Sequence, residues 1–409
     1  MRIALYHNLP SGGAKRVVYE HTRALVAAGH TVDVYEPETA DSGFCDVAPV
    51  ASQVTRLPFH WDHGAPRTRL AKVSMALRNA VSWSRGYRRL TEMQRQLAVQ
   101  LDQAGYDLVY VHHDLYETAP SLLRFLRTPS VYFCAEPRRS MFEAPLADRM
   151  LPSNQQSGQN QWWRAFLPRP FAHYLIANER LNTLSASMVI TNSVYSCESI
   201  LRAHGGIARC CTLGVDVDLF SPTAQPREAF VLSVGAFRPH KGFHFIIRSL
   251  GLMPQNHRPP LVLVGDQGGS ELDYLRALAR DVGVDLTTHV RITDETLRGL
   301  YRQAALFLYA PYLEPLGLTA LEAMACGTPV LGVREGGVRE TVVDGNSGWL
   351  VERNEAQFAA MIEQVRTDPA ELVRRGAWAQ QYVRDNWTWE RSLQDLLRLF
   401  DEALIRSKR

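Results

Sequence analysis

The chain has 409 residues, of which 46% are hydrophobic and 21% charged, and its formal net charge is +3. These fractions are ordinary for a soluble globular protein, and the length suits two domains of about 200 residues each. The weak net charge gives no support to nucleic-acid binding.

The start of the chain predicts a β-α-β unit. RIALYH is a short buried-strand run, NLPSGG has turn chemistry, and RVVYEHTRALVAAG carries apolar residues at helical spacing up to Gly29. HTVDVYEP follows as the next strand. Such a unit predicts parallel strands in a doubly wound sheet.

Residues 64–100 are strongly basic. Apolar residues fall at helical spacing between the cations, which face a single acid, Glu92. This is the composition of a basic amphipathic helix at an anionic membrane surface. Alternatively, the segment is an ordinary amphipathic helix whose basic face is in contact with solvent and whose apolar face packs on the protein core. The cations are Arg67, Arg69, Lys72, Arg78, Arg85, Arg88, Arg89 and Arg95.

A second α/β pattern begins near residue 229. AFVLSVGAF predicts a strand, RPHKG a polar loop, FHFIIRSLGLM a helix and PPLVLVGD another strand. The proline-rich segment 219–228 predicts the domain boundary. We expect an N-terminal domain at 1–221, a C-terminal domain at 222–385, and a long amphipathic helix at 386–409 that can cap either half.

The stretch EPLGLTALE places Glu314 and Glu322 on either side of a turn. It follows the apolar run AALFLYAP, so it leaves the carboxyl end of a strand, where ligands bind in open α/β sheets. A helix begins near Leu318 or Thr319, and its first N–H groups predict an anion site flanked by two carboxylates. This arrangement suits a phosphorylated sugar. Alternatively, Glu322 is simply an acid in the first turns of a helix, which the macrodipole favours.

Arg238 and Lys241 lie in the loop VGAFRPHKGF, after a predicted strand and before a predicted helix. Two cations there would offset the charge of a diphosphate leaving group, although exposed basic loop residues are common. Gly12 and Gly13 after the first strand let backbone approach a ligand, as do Gly336 and Gly337 in EGGVRE. The motif GxGxxG is missing from the first loop, so no nicotinamide site is predicted.

His112 and His113 end the predicted strand in YDLVYVHHDLYE. A histidine there can bind a substrate hydroxyl or act as a general base, or it can simply be satisfied by local backbone. Asp216 and Asp218 form a DxD, which predicts a divalent metal only weakly because the pattern is common.

Six cysteines without a CxxC pair or a zinc spacing predict reduced thiols. The first residues lead directly into a strand, so we expect no signal peptide, and no apolar run approaches the ~18 residues of a spanning helix. These features predict a cytoplasmic or peripheral protein.

Taken in their order along the chain, these motifs resemble those of the retaining glycosyltransferases of family 4, which have the two-domain GT-B fold. The resemblance covers most of residues 185–350 and the first 35 residues. Its most specific part is the E-x7-E stretch followed by EAMACGTPV. The other parts are SGGAKRVVYEHTRALVAAGH, VITNSVYSCESI, LGVDVDLFSP, VLSVGAFRPHKGF, LVLVGD and EGGVRETVVDGNSGWLV.

The resemblance implies roles for individual residues. Glu322 matches the glutamate that binds the nucleotide ribose, and Glu314 matches the one beside the donor sugar. Lys241 matches the diphosphate-binding lysine. The donor-binding set is completed by Gly13, Arg238, Gly317, Leu318 and Thr319, and the histidine near the donor sugar is best matched by His112, with His113 as the adjacent candidate.

One departure from the family pattern concerns an arginine. The family usually has arginine where this chain has Ala236, and Arg238 is the substitute we expect. The segment GVDVDLF is a structural loop in the family, so the resemblance implies no bound metal and no cofactor beyond the nucleotide sugar.

The implied enzyme is a retaining hexosyltransferase that uses a nucleoside-diphosphate sugar. Its fold is α/β, with two Rossmann-like doubly wound domains facing a cleft. Two alternatives remain open: a nucleotide-sugar 2-epimerase of the same fold, and a non-catalytic subunit that binds nucleotide sugar.

The donor is predicted to be GDP-mannose or a UDP-hexose. YFCAEPRR resembles a tyrosine–cysteine segment of mannosyl-transferring relatives, with Ala135 in place of their histidine. The basic segment and WWRAFLPRPF at 162–171 indicate a lipid-linked or membrane-bound acceptor in cell-envelope glycan synthesis, and hence a peripheral location at the inner membrane face.

Overall fold

Two parallel β-sheets, one in each half of the chain, organise the computed structural model, which describes residues 1–61, 72–143 and 169–407. The N-terminal sheet has seven strands in the order β3-β2-β1-β4-β5-β6-β7. They are β1 (Arg2–Asn8), β2 (Thr31–Pro37), β3 (Gln53–Leu57), β4 (Leu108–Asp114), β5 (Ser130–Phe133), β6 (Met188–Thr191) and β7 (Ala208–Cys210).

The C-terminal sheet has six strands in the order β10-β9-β8-β11-β12-β13. Its central strands are short apolar runs, because helices cover both faces of a parallel sheet and leave no polar side. The strands are β8 (Val231–Val234), β9 (Leu261–Gly265), β10 (Leu286–Val290), β11 (Leu306–Tyr309), β12 (Val330–Val333) and β13 (Gly348–Val351).

Helices follow most of the strands, as expected for β-α-β units. The predicted doubly wound α/β fold is thereby confirmed. The helices are α1 (Gly13–Ala27), α2 (Lys72–Gln103), α3 (Arg139–Phe142), α4 (Arg169–Ser185), α5 (Val194–His204), α6 (Phe243–Gly251), α7 (Ser270–Val282), α8 (Asp294–Gln303), α9 (Leu318–Ala325), α10 (Val338–Thr341), α11 (Glu355–Arg366), α12 (Pro369–Asn386) and α13 (Trp389–Ser407).

The last helix, α13, packs on the N-terminal half. His21 of α1 lies between the Tyr110 hydroxyl and the Ser392 hydroxyl, with its ring nitrogens 2.9 Å from each. Trp389 meets the same imidazole edge-on at 5.8 Å between ring centroids. The amphipathic sequence pattern of this helix did not indicate which half of the chain it covers. These contacts show that it covers the N-terminal half. The domain limits at 221 and 385 stay predictions.

The chain therefore passes between the two halves twice, and the two crossings lie side by side. The amide of Val215, in the outgoing segment, donates to the carbonyl of Trp387 in the returning segment at 2.9 Å. Val215 and Thr388 also form an isolated parallel bridge. The two passages thus form one hydrogen-bonded pair.

The order of the strands fixes where a ligand can bind. In the N-terminal sheet the order of the strands reverses between β1 and β4, and in the C-terminal sheet between β8 and β11, although neighbouring strands stay parallel. Loops that leave such a switch point diverge and open a crevice at the carboxyl ends of the strands. The loops after β1, β8 and β11 lead to the predicted site residues of those segments, and His112 and His113 lie near the end of β4.

The basic segment is described only in part. Arg67 and Arg69 lie outside the described residues, as does 162–168 of the WWRAFLPRPF stretch, while 72–103 form the helix α2. Arg85 and Arg88 are exposed on that helix. No helix within the described ranges has both the length and the apolar character needed to cross a membrane.

Candidate functional site

Lys241 and Glu314 form an ion pair at the carboxyl edge of the C-terminal sheet. Lys241 ends a short 3-10 turn after β8, and Glu314 lies in the loop after β11, the strand paired with β8. The Lys241 Nζ donates to the Glu314 Oε2 at 2.7 Å. Burial alone would raise the pKa of Glu314, but the charges of Lys241 and then Arg139 hold that pKa below its usual value.

The helix α9 begins four residues beyond Glu314, at Leu318. Gly317 caps it with φ 97°, a left-handed conformation that side-chain-bearing residues seldom adopt. The first amides of a helix have no acceptor within it, so those of Leu318 and Thr319 can receive an anion. A Cβ atom built on Gly13 would lie 3.7 Å from the Leu318 side chain, so the N-terminal glycine turn faces this helix end.

Glu322 lies one turn inside α9 and is buried. The hydroxyl of Tyr301 donates to its Oε2 at 2.9 Å, and the Arg16 Nη1 lies 3.4 Å from its Oε1. Burial raises the pKa of Glu322, and the charge of Arg16 opposes this only in part. Arg16 belongs to α1, so this contact joins the two domains.

A cavity of about 400 Å³ opens beside this contact, between the two domains. Arg16 also lies 3.6 Å from Asp294, the first residue of α8. The space is comparable with what small-molecule sites in proteins offer. Its lining includes Arg16, Tyr19, Asp294, Leu318, Glu322 and Trp389.

Arg238 lies apart from the Lys241–Glu314 pair. Its side chain is exposed and lines a second cavity, of about 240 Å³, together with Phe237 and the loop before α7. The structure does not bring Arg238 into contact with Glu314 or Glu322. Its role as the substitute for the arginine missing at Ala236 stays a prediction.

The two histidines of β4 point to opposite faces of the sheet, as strand geometry requires. His112 is 2% exposed and stacks on Phe133 at 5.2 Å. Burial lowers its pKa well below the usual value. His113 lies on the other face beside Tyr132, and burial lowers its pKa to about 4. Both rings are therefore neutral at pH 7, and their contact with a sugar stays a prediction.

The glycine turn is supported by a buried charged cluster. The Nζ of Lys15, two residues after Gly13, lies 3.3 Å from the Nε2 of His7 and 3.6 Å from the Oε2 of Glu36. The side chains of Lys15 and Glu36 are 0% and 3% exposed. A buried ammonium is tolerated only when it is paired, so this cluster holds the start of α1 in place.

N-terminal residues also contact the loop that carries Glu314. The Arg139 Nη2 donates to the carbonyls of Tyr312 and Leu313 at 2.7 and 2.5 Å. The Ser193 hydroxyl donates to the carbonyl of Pro315 at 2.6 Å. The two domains thus meet along the loop before α9.

A second contact between the domains involves the start of α5. The amides of Val194 and Tyr195 donate to the carboxylate of Glu340, in α10, at 2.8 Å each. A carboxylate at a helix N-terminus satisfies free amides and complements the helix dipole. Here the capping carboxylate comes from the opposite domain.

Gly337 allows the EGG loop to pack on the Glu314 loop. Its amide donates to the Glu314 carbonyl at 2.7 Å, and a Cβ atom there would lie 2.0 Å from the carbonyl oxygen of Pro315. Because no side chain fits, only glycine allows this approach.

Asp216, the first acid of the DxD, accepts the amides of Asp218 and Leu219 and so caps a local turn. Across the described part of the chain, no three His, Cys, Asp or Glu side chains are grouped to hold a metal. That the protein needs no metal remains a prediction.

Several residues of this site were not singled out from the sequence. Arg16 follows Gly13 by one helical turn, so the helical spacing of α1 placed it on the face that Gly13 occupies. Tyr301 and Ser193 had no such signal, because their partners lie far away in the chain. Arg139 stands beside Arg138, and only the folded chain distinguishes the two.

Two family models match the chain. Residues 216–381 match the glycosyl transferases group 1, and residues 12–196 match the glycosyl transferase 4-like domain. These ranges include Lys241, Glu314 and Glu322 in the first and Gly13 in the second.

Curated relatives include several D-inositol 3-phosphate glycosyltransferases. The one from an Arthrobacter species is 30% identical over 208 residues, which is 47% of this chain and 49% of that protein. The one from Thermomonospora curvata is 25% identical over 96% of this chain and 91% of its own length. The chain spans about half the length of the first curated relatives that it matches.

Solved structures of similar fold cover nearly the whole chain. Sucrose-phosphate synthase from Thermosynechococcus elongatus gives a TM-score of 0.72 at 21% identity, covering 98% of both chains. HepE from Anabaena, in complex with UDP-glucose, gives 0.68 at 18% identity, covering 98% of this chain and 100% of its own. These structures show the two-domain GT-B fold, and the two family models, which together match most of the chain, show that it belongs to the family-4 glycosyltransferases (glycosyl transferases group 1).

Proposed function

We propose that the chain moves a hexose from a nucleoside-diphosphate sugar to an acceptor hydroxyl, with retention of the anomeric configuration. The carrying observation is the arrangement along one edge of the C-terminal sheet. The Lys241–Glu314 pair, the start of α9 and the buried Glu322 follow one another there, opposite Gly13. This arrangement offers a cation and free amides for a diphosphate, and carboxylates for sugar and ribose hydroxyls.

In this proposal the bond between the anomeric carbon and the diphosphate oxygen breaks, and the acceptor oxygen bonds to that carbon on the same face. The acceptor proton passes to the departing diphosphate. Lys241 and the amides of α9 stabilise the negative charge that develops on the leaving group. Arg238 contributes only if its loop turns toward the diphosphate, and His112 only if the sugar reaches its ring.

The donor is GDP-mannose or a UDP-hexose. The complexes of HepE with UDP and with UDP-glucose make the uridine donor the first to test. The acceptor is a lipid-linked or cell-envelope glycan hydroxyl, and α2 with its exposed Arg85 and Arg88 lies against an anionic membrane surface.

The test compares the wild type with Glu322→Ala and Lys241→Ala. A thermal-shift series with UDP, GDP, ADP and the corresponding nucleotide sugars identifies the donor. Release of the free nucleoside diphosphate then measures turnover. Loss of one positioned cation at a developing charge costs about 10²- to 10³-fold in rate. Near-normal turnover in either variant refutes the assignment of these residues.

Two other outcomes point to different functions. Consumption of the donor with formation of its 2-epimer, and without a glycoside product, indicates an epimerase. Stabilisation by nucleotide sugars without any diphosphate release indicates a non-catalytic binding subunit.

A further inference from the structure

Arg139 links the two domains directly behind the proposed reaction centre. It follows β5 of the N-terminal sheet by six residues, and its side chain is 6% exposed. Its Nη2 donates to the carbonyls of Tyr312 and Leu313, the two residues before Glu314. A guanidinium carries five donors in a rigid plane, so one arginine can hold several acceptors at once.

The other donors of Arg139 bind carboxylates of its own domain. The Nε donates to Glu143 at 2.9 Å, and the Nη1 donates to Glu136 at 3.1 Å. Glu143 also accepts hydrogen bonds from the hydroxyls of Tyr195 and Ser199 in α5, at 3.0 and 2.8 Å. The guanidinium is thus fixed in the N-terminal domain on one side and extends to the opposite domain on the other.

The segment that Arg139 holds has an unusual backbone. Leu313 has φ 49°, a left-handed conformation that a residue with a side chain keeps only where its surroundings impose it. The next residue is Glu314, whose carboxylate pairs with Lys241. The two hydrogen bonds to the carbonyls of Tyr312 and Leu313 therefore act on the orientation of Glu314.

Glu136 is the more exposed end of this arrangement. Its side chain is 42% exposed, whereas its partner Arg139 is buried. Arg139 thus connects this carboxylate of the N-terminal domain with the loop that carries Glu314.

We propose that Arg139 is a positioning residue of the transfer reaction, which holds Glu314 and Glu136 in their relative places when the two domains are closed. This inference rests on the proposed function for its effect on turnover. It assigns this positioning to a hydrogen-bonded contact between the two domains.

The adjacent Arg138 provides a matched control. It is partly buried, and its Nε donates to Glu179 at 3.2 Å and its Nη2 to the carbonyl of Tyr116 at 3.2 Å. All of these partners belong to the N-terminal domain. Arg138→Gln therefore removes a comparable arginine without touching the Glu314 loop.

The experiment compares Arg139→Gln, Arg139→Lys and Arg138→Gln with the wild type. Isothermal titration calorimetry with UDP and GDP measures binding. Release of UDP from UDP-glucose, or of GDP from GDP-mannose, with water as the acceptor, measures turnover. We expect both Arg139 variants to lose at least ~10-fold in kcat while the Kd changes less than ~3-fold, since lysine cannot bridge both sets of acceptors. Arg138→Gln should keep the wild-type kcat.

A second measurement does not depend on activity. Hydrogen exchange of the amides at 310–317 in the ligand-free protein should be at least ~10-fold faster in Arg139→Gln than in Arg138→Gln. The inference is overturned if the amides exchange at equal rates in Arg139→Gln and Arg138→Gln. It is also overturned if these two variants lose kcat to the same extent. A wild type that neither binds nor cleaves any nucleotide sugar refutes the proposed function instead, and the exchange comparison still decides the role of Arg139.

Discussion

Replacement of Glu36 by glutamine tests the buried cluster under the glycine turn. The pKa of Glu36 falls from its ordinary 4.5 to about 2, because a hydrogen bond from His7, the charges of His7 and Lys15 and a hydrogen bond from Arg56 together outweigh its burial. At ~1.4 kcal/mol per pH unit, the difference corresponds to about 3 kcal/mol of stability.

The sign of the pH dependence follows from the lowered pKa. A carboxyl with a folded-state pKa below its unfolded value stabilises fully above the unfolded value, here 4.5, and loses the contribution as the pH falls toward 2. We therefore expect Glu36→Gln to cost about 3 kcal/mol at pH 7 and less below pH 4.5. Urea unfolding, followed through hydrogen exchange of β1 and β2, measures this cost.

Two control variants make the result specific to the ion pair. Glu38→Gln removes an acid whose side chain is 42% exposed and whose partner is the exposed His60, so it should cost under ~1 kcal/mol. Lys15→Met combined with Glu36→Gln should cost less than the sum of the single changes, because no unpaired buried charge remains. The reasoning is refuted if Glu36→Gln lowers the free energy of unfolding no more than Glu38→Gln does. It is also refuted if the effects of Lys15→Met and Glu36→Gln on that free energy simply add in the double variant.

Tyr301→Phe removes the hydroxyl that donates to Glu322, so the Kd for the nucleoside diphosphate should rise about 10-fold, the loss expected for one hydrogen bond to a charged group. Because burial raises the pKa of Glu322, binding should also weaken as the pH falls toward that pKa. An equal Kd in the variant and the wild type would contradict the first point, and an equal Kd at pH 7 and pH 5 would contradict the second. The double variant Arg85→Gln and Arg88→Gln should reduce sedimentation with phosphatidylserine vesicles and leave the Kd for UDP unchanged. Equal sedimentation of the wild type with neutral and anionic vesicles would refute the membrane proposal.

The local patterns of the sequence were sufficient to predict the alternating strands and helices of the two domains. Apolar runs, turn residues and helical spacing follow from interactions within about a dozen residues, and they predicted the alternating strands and helices correctly. The turn at Pro315 and Gly317 likewise predicted where α9 begins, and Leu318 is its first residue.

The geometry of the site depends on contacts that no local pattern contains. The loop after β8 carries both Arg238 and Lys241, yet only Lys241 reaches Glu314, because the 3-10 turn points Arg238 toward α7. His112 has the residue type of a catalytic base, but its position on the strand places the ring under Phe133. Arg139 and Tyr301 find their partners only when distant segments meet.

The paired crossings of the chain determine how the cleft can open. A single connecting segment would leave one domain free to turn in any direction relative to the other. Two segments joined by the Val215–Trp387 hydrogen bond resist sliding and twisting, since either motion would break that bond. Bending about the line through both segments preserves it. Of these motions, we expect bending to be the one that keeps the contact between the two segments.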